Sequence, residues 1–186
     1  AIWNVVSKYC QDNRIKLPSI RKILMAGAPV PYDLLQRVTS ILPPEATVHT
    51  PYGATESLPV ASISGSEILR DTWAASRRGK GTCVGRALPG IELQIMALSD
   101  EPISQFHPDM LLKTGEVGEI IVRGEVVTRA YQNNPDETRL AKIDRDGSLW
   151  HRMGDVGYLD EQARLWFCGR RAHRVETATG TLYTIP

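Results

Sequence analysis

The sequence predicts an α/β fold in which a βαβ sheet portion is followed by a small twisted β-barrel. Two observations carry that expectation. Residues 20–50 read as strand, helix and strand in succession, which is the parallel βαβ unit. From Gly79 onward, Gly-rich turns separate short runs of alternating polarity, the pattern of half-buried antiparallel strands.

In chain order, Ile2, Val5, Val6 and Tyr9 recur at helical spacing, so residues 1–12 form an amphipathic helix ending near Asp12-Asn13. It starts at Ala1 without a cap or a Met, as a piece of something longer would. Ile20 to Ala26 is an apolar run that closes on Gly27-Ala28-Pro29, a buried strand and a tight small-residue turn. Pro31-Tyr32-Asp33 opens a helix with Leu34, Leu35, Val38, Ile41 and Leu42 on one face, stopped by Pro43-Pro44. The β-branched run Thr47-Val48-His49-Thr50 is a strand that Pro51 and Gly53 end abruptly. Leu58 to Ile63 is another strand, and Ser66 to Ala75 a weaker helix with a Ser cap and Glu67 in its first turn.

In the second half, residues 81–85, 91–96 and 118–124 are strands. Asn134 to Ala141 is a short helix with Pro and acids in its first turn. Asp146-Gly147 signals a hairpin, Leu149 to Met153 a strand, Glu161-Gln162-Ala163 a turn, and Arg164 to Cys168 the strand that returns.

Composition excludes several classes of function. In 186 residues, 22 Lys and Arg balance 21 Asp and Glu, a net charge of +1. The densest basic run, Arg77-Arg78-Gly79-Lys80, is a short Gly-containing loop, so no nucleic-acid partner is expected. No stretch has the apolar length of a transmembrane segment, and the start lacks the pattern of a signal peptide. Three scattered cysteines, Cys10, Cys83 and Cys168, fit no zinc spacing and suit a reducing, cytoplasmic setting as inert thiols. The four histidines form no metal pair at helical spacing, and no Gly-x-Ser-x-Gly elbow occurs.

The chemistry gathers at Thr50-Pro51-Tyr52-Gly53-Ala54-Thr55-Glu56. A turn there, at the carboxyl end of a strand, opens into the crevice where α/β sheets bind ligands. Tyr52 offers a face for a flat heterocycle, while Thr55 and Glu56 offer a hydroxyl for phosphate and a hard oxygen ligand for Mg²⁺. The competing reading is a polar turn with a chance Glu. Asp155 follows a glycine at a strand end, where a carboxylate accepts ribose hydroxyls, although a lone Gly-Asp is more often a turn that bonds its own backbone. Arg170 lies within reach of the same sugar or a phosphate; alone, it reads as an exposed ion-pairing Arg. Gly27, Ala28 and Pro29 let main chain approach the edge of a base, or merely connect strand to helix.

These blocks together resemble the adenylate-forming superfamily of acyl-CoA synthetases, firefly luciferase and peptide-synthetase adenylation domains. The matching segments, in family order, are Ala26 to Pro29, Tyr52 to Glu56, Val84 to Gly90, Gly115 to Glu119, Gly154 to Tyr158 and Gly169-Arg170. Further wording, at residues 26–31, 50–60, 81–85, 151–155 and 174–177, is similar to the bacterial olefin-biosynthesis branch of β-lactone formers labelled fatty acid-CoA ligases.

The resemblance implies an acyl-CoA synthetase-like large domain. Residues 1–78 would be the end of its α/β nucleotide-binding part, 79–171 a β-barrel-like part, and 172–186 the hinge and the start of a missing carboxyl-terminal domain. It further implies that Gly27, Ala28 and Pro29 line adenine, with Tyr52 and Gly53 beside it and Tyr52 stacked on the base. Thr55 would touch phosphate, Glu56 bind Mg²⁺, Asp155 hold the ribose and Arg170 assist it. Such enzymes join a fatty, in this branch β-hydroxy, carboxylate to ATP, release pyrophosphate and form acyl-AMP. Most then pass the acyl group to a thiol such as coenzyme A, whereas this branch closes a β-lactone with loss of AMP.

The sequence also departs from the family. Met153 stands where Thr usually precedes Gly-Asp, and the charged hinge position falls near Ala172 or His173. No Lys-containing phosphate loop precedes the first helix, and no adenylation lysine domain follows Pro186. The chain is therefore expected to need the amino- and carboxyl-terminal parts of its own protein and to show little turnover alone. Two alternatives stay open, a nucleotide-binding or interaction module without chemistry and a self-standing β-barrel binding domain.

Overall fold

The computed structural model describes residues 2–104, 106–145, 147–178 and 180–183. Ala1, Asp146 and Thr184 to Pro186, which figure in the expectations above, lie outside the described residues. The βαβ unit forms as expected. β1 (Lys22–Leu24) and β2 (Thr47–Ala54) pair in parallel, Lys22 opposite Thr47, and α2 (Tyr32–Ile41) crosses between them. Leu35, Val38 and Ile41 are the buried side of α2, and Leu35 and Val38 form a core against the sheet with Ile23, Met25 and Val48.

Several local expectations are corrected. β1 is three residues long and Leu24 is exposed, because β1 is the last strand of the sheet and helices cover only one of its faces. Helix α1 (Ile2–Asp12) has the expected bounds but turns its apolar stripe outward, with Ile2 74%, Val5 71% and Tyr9 61% exposed. Its packed side is Trp3, Ser7 and Cys10, one helical face with two small residues, while Arg37 of α2 donates to the Asn4 side-chain carbonyl at 2.6 Å. The weaker helix starts two residues early, capped by Ser64, whose hydroxyl accepts from Glu67 N at 3.1 Å. It runs through α3 (Gly65–Glu67), a π-helical turn (Ile68–Thr72) and α4 (Trp73–Ser76).

The strand carrying Tyr52 does not stop at Pro51. β2 continues to Ala54 against β3 (Ser57–Ser64), with Tyr52 opposite Ala61. Backbone groups of a strand alternate sides, and Met25 N to His49 O is the last bond to β1. The nitrogen of Pro51 therefore faces the side where pairing has ended, and its missing N–H removes nothing from the ladder to β3. The turn is confined to Thr55-Glu56.

Among the described residues, nine strands form one sheet in the order β1-β2-β3-β4-β9-β8-β6-β5, with β7 (Lys142–Arg145) pairing β8 off that path. β4 is Thr82–Ala87, β5 Glu92–Met96, β6 Gly118–Arg123, β8 Ser148–Leu159 and β9 Leu165–Arg170. The second half is thus an antiparallel sheet that does not close into a barrel. Closure would bring β4 onto β5, but the free edge of β4 is taken by β3 through Ala61–Ala87 and Ser62–Arg86. β6 is also buried on both faces rather than half-buried. Ile120 and Val122 join a core with Val60, Met153 and Leu165, while Ile121 packs with Met96, Ile143 and Trp150 on the other side.

The short helix is α5 (Pro135–Ala141), capped by the Asn134 side chain. Arg145 opposite Ser148 sets the tight loop between β7 and β8. A 3-10 turn (Arg171–His173) leads to the separate hairpin of β10 (Arg174–Thr177) and β11 (Gly180–Tyr183).

Candidate functional site

A cleft of about 820 Å³ opens where the two halves of the sheet meet. Gly27, Ala28, Pro29, Tyr52, Gly53, Thr55, Glu56, Asp155 and Arg170 all line it. Gly27 takes φ +100°, which favours glycine, so the turn after β1 bends with nothing projecting from it. Gly53 is fixed for another reason: a Cβ there would meet Ser57 O at 2.5 Å, where the β2–β3 ladder shifts register between Tyr52 and Ala54.

Asp155 is not at a strand end. It lies inside the twelve-residue β8, which β6 and β9 hold on either side. Between the pairs Ile121–Arg152 and Glu119–Val156, β8 supplies Met153, Gly154 and Asp155 opposite Ile120 alone, and Gly154 adopts φ +65°. This bulge re-aims the side chain of Asp155 into the cleft. Arg170, the last residue of β9, pairs directly opposite Asp155.

Tyr52 and Asp155, 103 residues apart, meet: the Tyr52 hydroxyl donates to Asp155 Oδ2 at 2.6 Å. The Tyr52 ring tilts against Phe167 with centroids 6.2 Å apart. Arg170 Nη1 lies 2.8 Å from Asp155 Oδ1, an ion-pair distance, yet that buried oxygen accepts no aligned hydrogen bond. Burial pushes the Asp155 carboxyl above its ordinary value, against the Tyr52 hydrogen bond and the Arg170 charge, which favour ionisation. Burial and then the Asp155 charge push the Tyr52 phenol well above its own.

The other end of the cleft holds Glu56 and residues that the sequence did not single out. Tyr131 donates to Glu56 Oε1 at 3.0 Å, and Thr128 N donates to Glu56 O at 2.8 Å. Behind them Lys142 on β7 pairs across to His151 on β8. Its Nζ lies 3.2 Å from His151 Nδ1 and 3.3 Å from Thr128 Oγ1. Burial raises the Glu56 carboxyl less than its own backbone N–H, the Tyr131 hydroxyl and the nearby His151 and Lys142 lower it, so it sits below the ordinary value. Burial, then the Lys142 charge, lowers the His151 imidazole to about 4. The sequence signals for His151 were its place in the 151–155 wording and the strand period that puts it on the Met153 side of β8.

A third group lies beneath the cleft. Arg152 and Glu119, both buried, pair at 2.7 Å, and Arg152 also donates to Glu101 O, Leu140 O and Ser99 O. Cys83, on the cleft wall, is a free thiol that burial pushes up to about 11, and Cys10 and Cys168 are also free. No group of three or more His, Cys, Asp or Glu that could hold a metal occurs among the described residues. No helix of the described residues is long and apolar enough to cross a membrane.

A family model described as "AMP-binding enzyme" matches residues 1–132. The chain belongs to the AMP-binding enzyme family. It is 50% identical over 189 aligned positions to an olefin beta-lactone synthetase of Stenotrophomonas maltophilia (strain K279a), covering 99% of this chain and 33% of that protein. The olefin beta-lactone synthetase of Xanthomonas campestris pv. campestris is 48% identical with the same coverage. A phenylacetyl-CoA ligase of Aspergillus niger is 32% identical over 81% of this chain and 24% of its own length. The chain spans about a third of the length of the olefin beta-lactone synthetases it matches.

The fold is shared with a solved structure. O-succinylbenzoate coenzyme A synthetase from Bacillus subtilis, in complex with ATP and a magnesium ion, superposes with a TM-score of 0.71 at 23% identity, covering 96% of this chain and 33% of that one.

Proposed function

We propose that this chain is the adenosine-and-metal half of an AMP-forming ligase that activates a fatty, β-hydroxy carboxylic acid. The observation that supports it best is the Tyr52–Asp155 contact, which puts an aromatic ring and a sugar-accepting carboxylate in the same cleft as Glu56. Asp155 Oδ1, buried and without an aligned donor, suits a ribose hydroxyl. The Arg170 charge opposes the upward push of burial on that carboxylate. Gly27, Ala28 and Pro29 leave main chain bare against the base, and Thr55, exposed at the hairpin tip, reaches phosphate oxygen.

A divalent cation fits Glu56. Mg²⁺ takes one or two protein carboxylates and completes its shell with phosphate and water, so a single low-pKa carboxylate suffices. Bound there, Mg²⁺ would neutralise phosphate charge. The residues of the chain position the nucleotide so that a carboxylate oxygen of the acid attacks the α-phosphorus and the bond to pyrophosphate breaks. Closing the β-hydroxyl onto the acyl carbon then expels AMP and leaves a β-lactone; transfer to coenzyme A is the other fate.

The olefin beta-lactone synthetases, at 48–50% identity, favour the first outcome. In this reading residues 1–78 finish the α/β nucleotide-binding part, 79–171 form the antiparallel part and 172–186 begin a hinge. The remaining parts of the protein are its partners, and the three free thiols suit a cytoplasmic enzyme.

Mass spectrometry of products from the complete polypeptide with ATP, Mg²⁺ and a β-hydroxy fatty acid, with and without coenzyme A, tests this. AMP and β-lactone without coenzyme A are expected. Acyl-CoA as the sole acyl product would correct the fate, and no AMP would overturn the activity. The 186-residue chain alone is expected to release AMP at background.

A further inference from the structure

Lys142 is 8% exposed, yet among the described residues its ammonium lies in no ion pair with a carboxylate. A buried cation satisfied only by a hydroxyl and an imidazole nitrogen is costly unless an anion joins it. His151 Nδ1 lies 3.2 Å from both Lys142 Nζ and Ala141 O. An ammonium only donates and a carbonyl only accepts, so Nδ1 can serve one of them; with Lys142 charged an N–H aimed at it is repelled, Nδ1 accepts from Lys142, and the ring proton sits on Nε2. Nε2 makes no hydrogen bond to the described residues, and His151 lines the cleft beside Glu56 and Tyr131.

The charge balance points the same way. Glu56 and Glu137 line this end, Lys142 opposes them, and His151 is neutral near pH 7. A divalent cation on Glu56 turns the sum from −1 to +1, which suits a polyphosphate. His151 and Asp155 lie on the same strand, and both line the cleft.

Resting on the nucleotide reading above, we propose that Lys142 and His151 form a recognition element for the terminal phosphates of ATP and for departing pyrophosphate. His151 makes the contact through Nε2–H. Lys142 is a positioning residue behind it, fixing the imidazole tautomer and adding charge.

Calorimetric titration of AMP, ATP with Mg²⁺ and pyrophosphate with Mg²⁺ into the complete polypeptide separates the possibilities. Lys142→Met and His151→Phe are expected to weaken ATP and pyrophosphate at least tenfold while AMP stays within twofold, and Lys142→Arg to recover much of the loss. Equal weakening of AMP and ATP, or no weakening, overturns the proposal. If Lys142→Met no longer binds AMP, it has lost its fold and His151→Phe decides. If the unmodified protein binds neither nucleotide, the adenosine reading itself fails and takes this inference with it.

Discussion

Tyr52→Phe removes one oxygen and leaves the ring against Phe167, so it isolates the hydroxyl bond to Asp155. Asp155 is 3% exposed, and its Oδ2 has this hydroxyl at 2.6 Å. A hydrogen bond to a charged group contributes about 1.5–3 kcal/mol, so the variant should lose about 2 kcal/mol of unfolding free energy. For a domain of this size that lowers Tm by about 4–8 °C.

The pH dependence distinguishes this from lost packing. The folded Asp155 carboxyl sits above its unfolded value of 3.8, so its contribution favours the fold below that value and is lost as pH rises toward the folded value. Without the Tyr52 hydroxyl the folded value climbs further, and the deficit grows from acid toward neutral pH. Urea denaturation at a series of pH values measures it. A difference under about 0.5 kcal/mol at neutral pH, or one independent of pH, would refute the claim that this hydroxyl holds the carboxylate ionised.

Other expectations follow from the same geometry. Glu119→Leu strands the buried Arg152 guanidinium and should cost about 3–5 kcal/mol by denaturant melt, while Glu119→Leu with Arg152→Met should recover much of it. His151, lowered to about 4 from 6.5, stays neutral in the fold while the unfolded chain takes a proton. It therefore costs up to about 3 kcal/mol as pH falls from 6.5 to 4, and His151→Phe should flatten that part of the stability profile. Gly85→Ala would place a Cβ 1.9 Å from Ser62 O at φ +88°, so a loss of about 3 kcal/mol or more, or insoluble protein, is expected on expression. Asp155→Asn should weaken AMP binding at least tenfold by calorimetry; unchanged affinity would remove Asp155 from the sugar site.

Most elements were legible because their signals are local. The period of Leu35, Val38 and Ile41, the Pro43-Pro44 stop and the Asn134 cap each act within one or two turns of chain. The errors came where long-range pairing overrode local preference. Pro51 ends strands in general, but here its nitrogen faces an edge with no partner. Gly154 reads as a terminus, but two neighbouring strands keep β8 going past it. The α1 stripe was read inside out because Ser7 and Cys10 pack closely while Ile2, Val5 and Tyr9 face outward. Tyr131 and Lys142 carried no motif, and the wording at 151–155 did not join His151 to them, since their shared position beside Glu56 exists only after β7 folds onto β8.

Because β4 waits for β9 as its partner, and Tyr52 for Asp155 and Arg170, the cleft stays incomplete until residues 155–170 have been made. On the ribosome, β4 emerges with its β9-facing edge unfilled, and that edge stays so for about eighty more codons at ~5–20 residues per second. On the reading proposed above, Tyr52, Asp155 and Arg170 cannot hold a nucleotide together during that interval, so ligand binding adds nothing to the stability of the nascent chain until they meet.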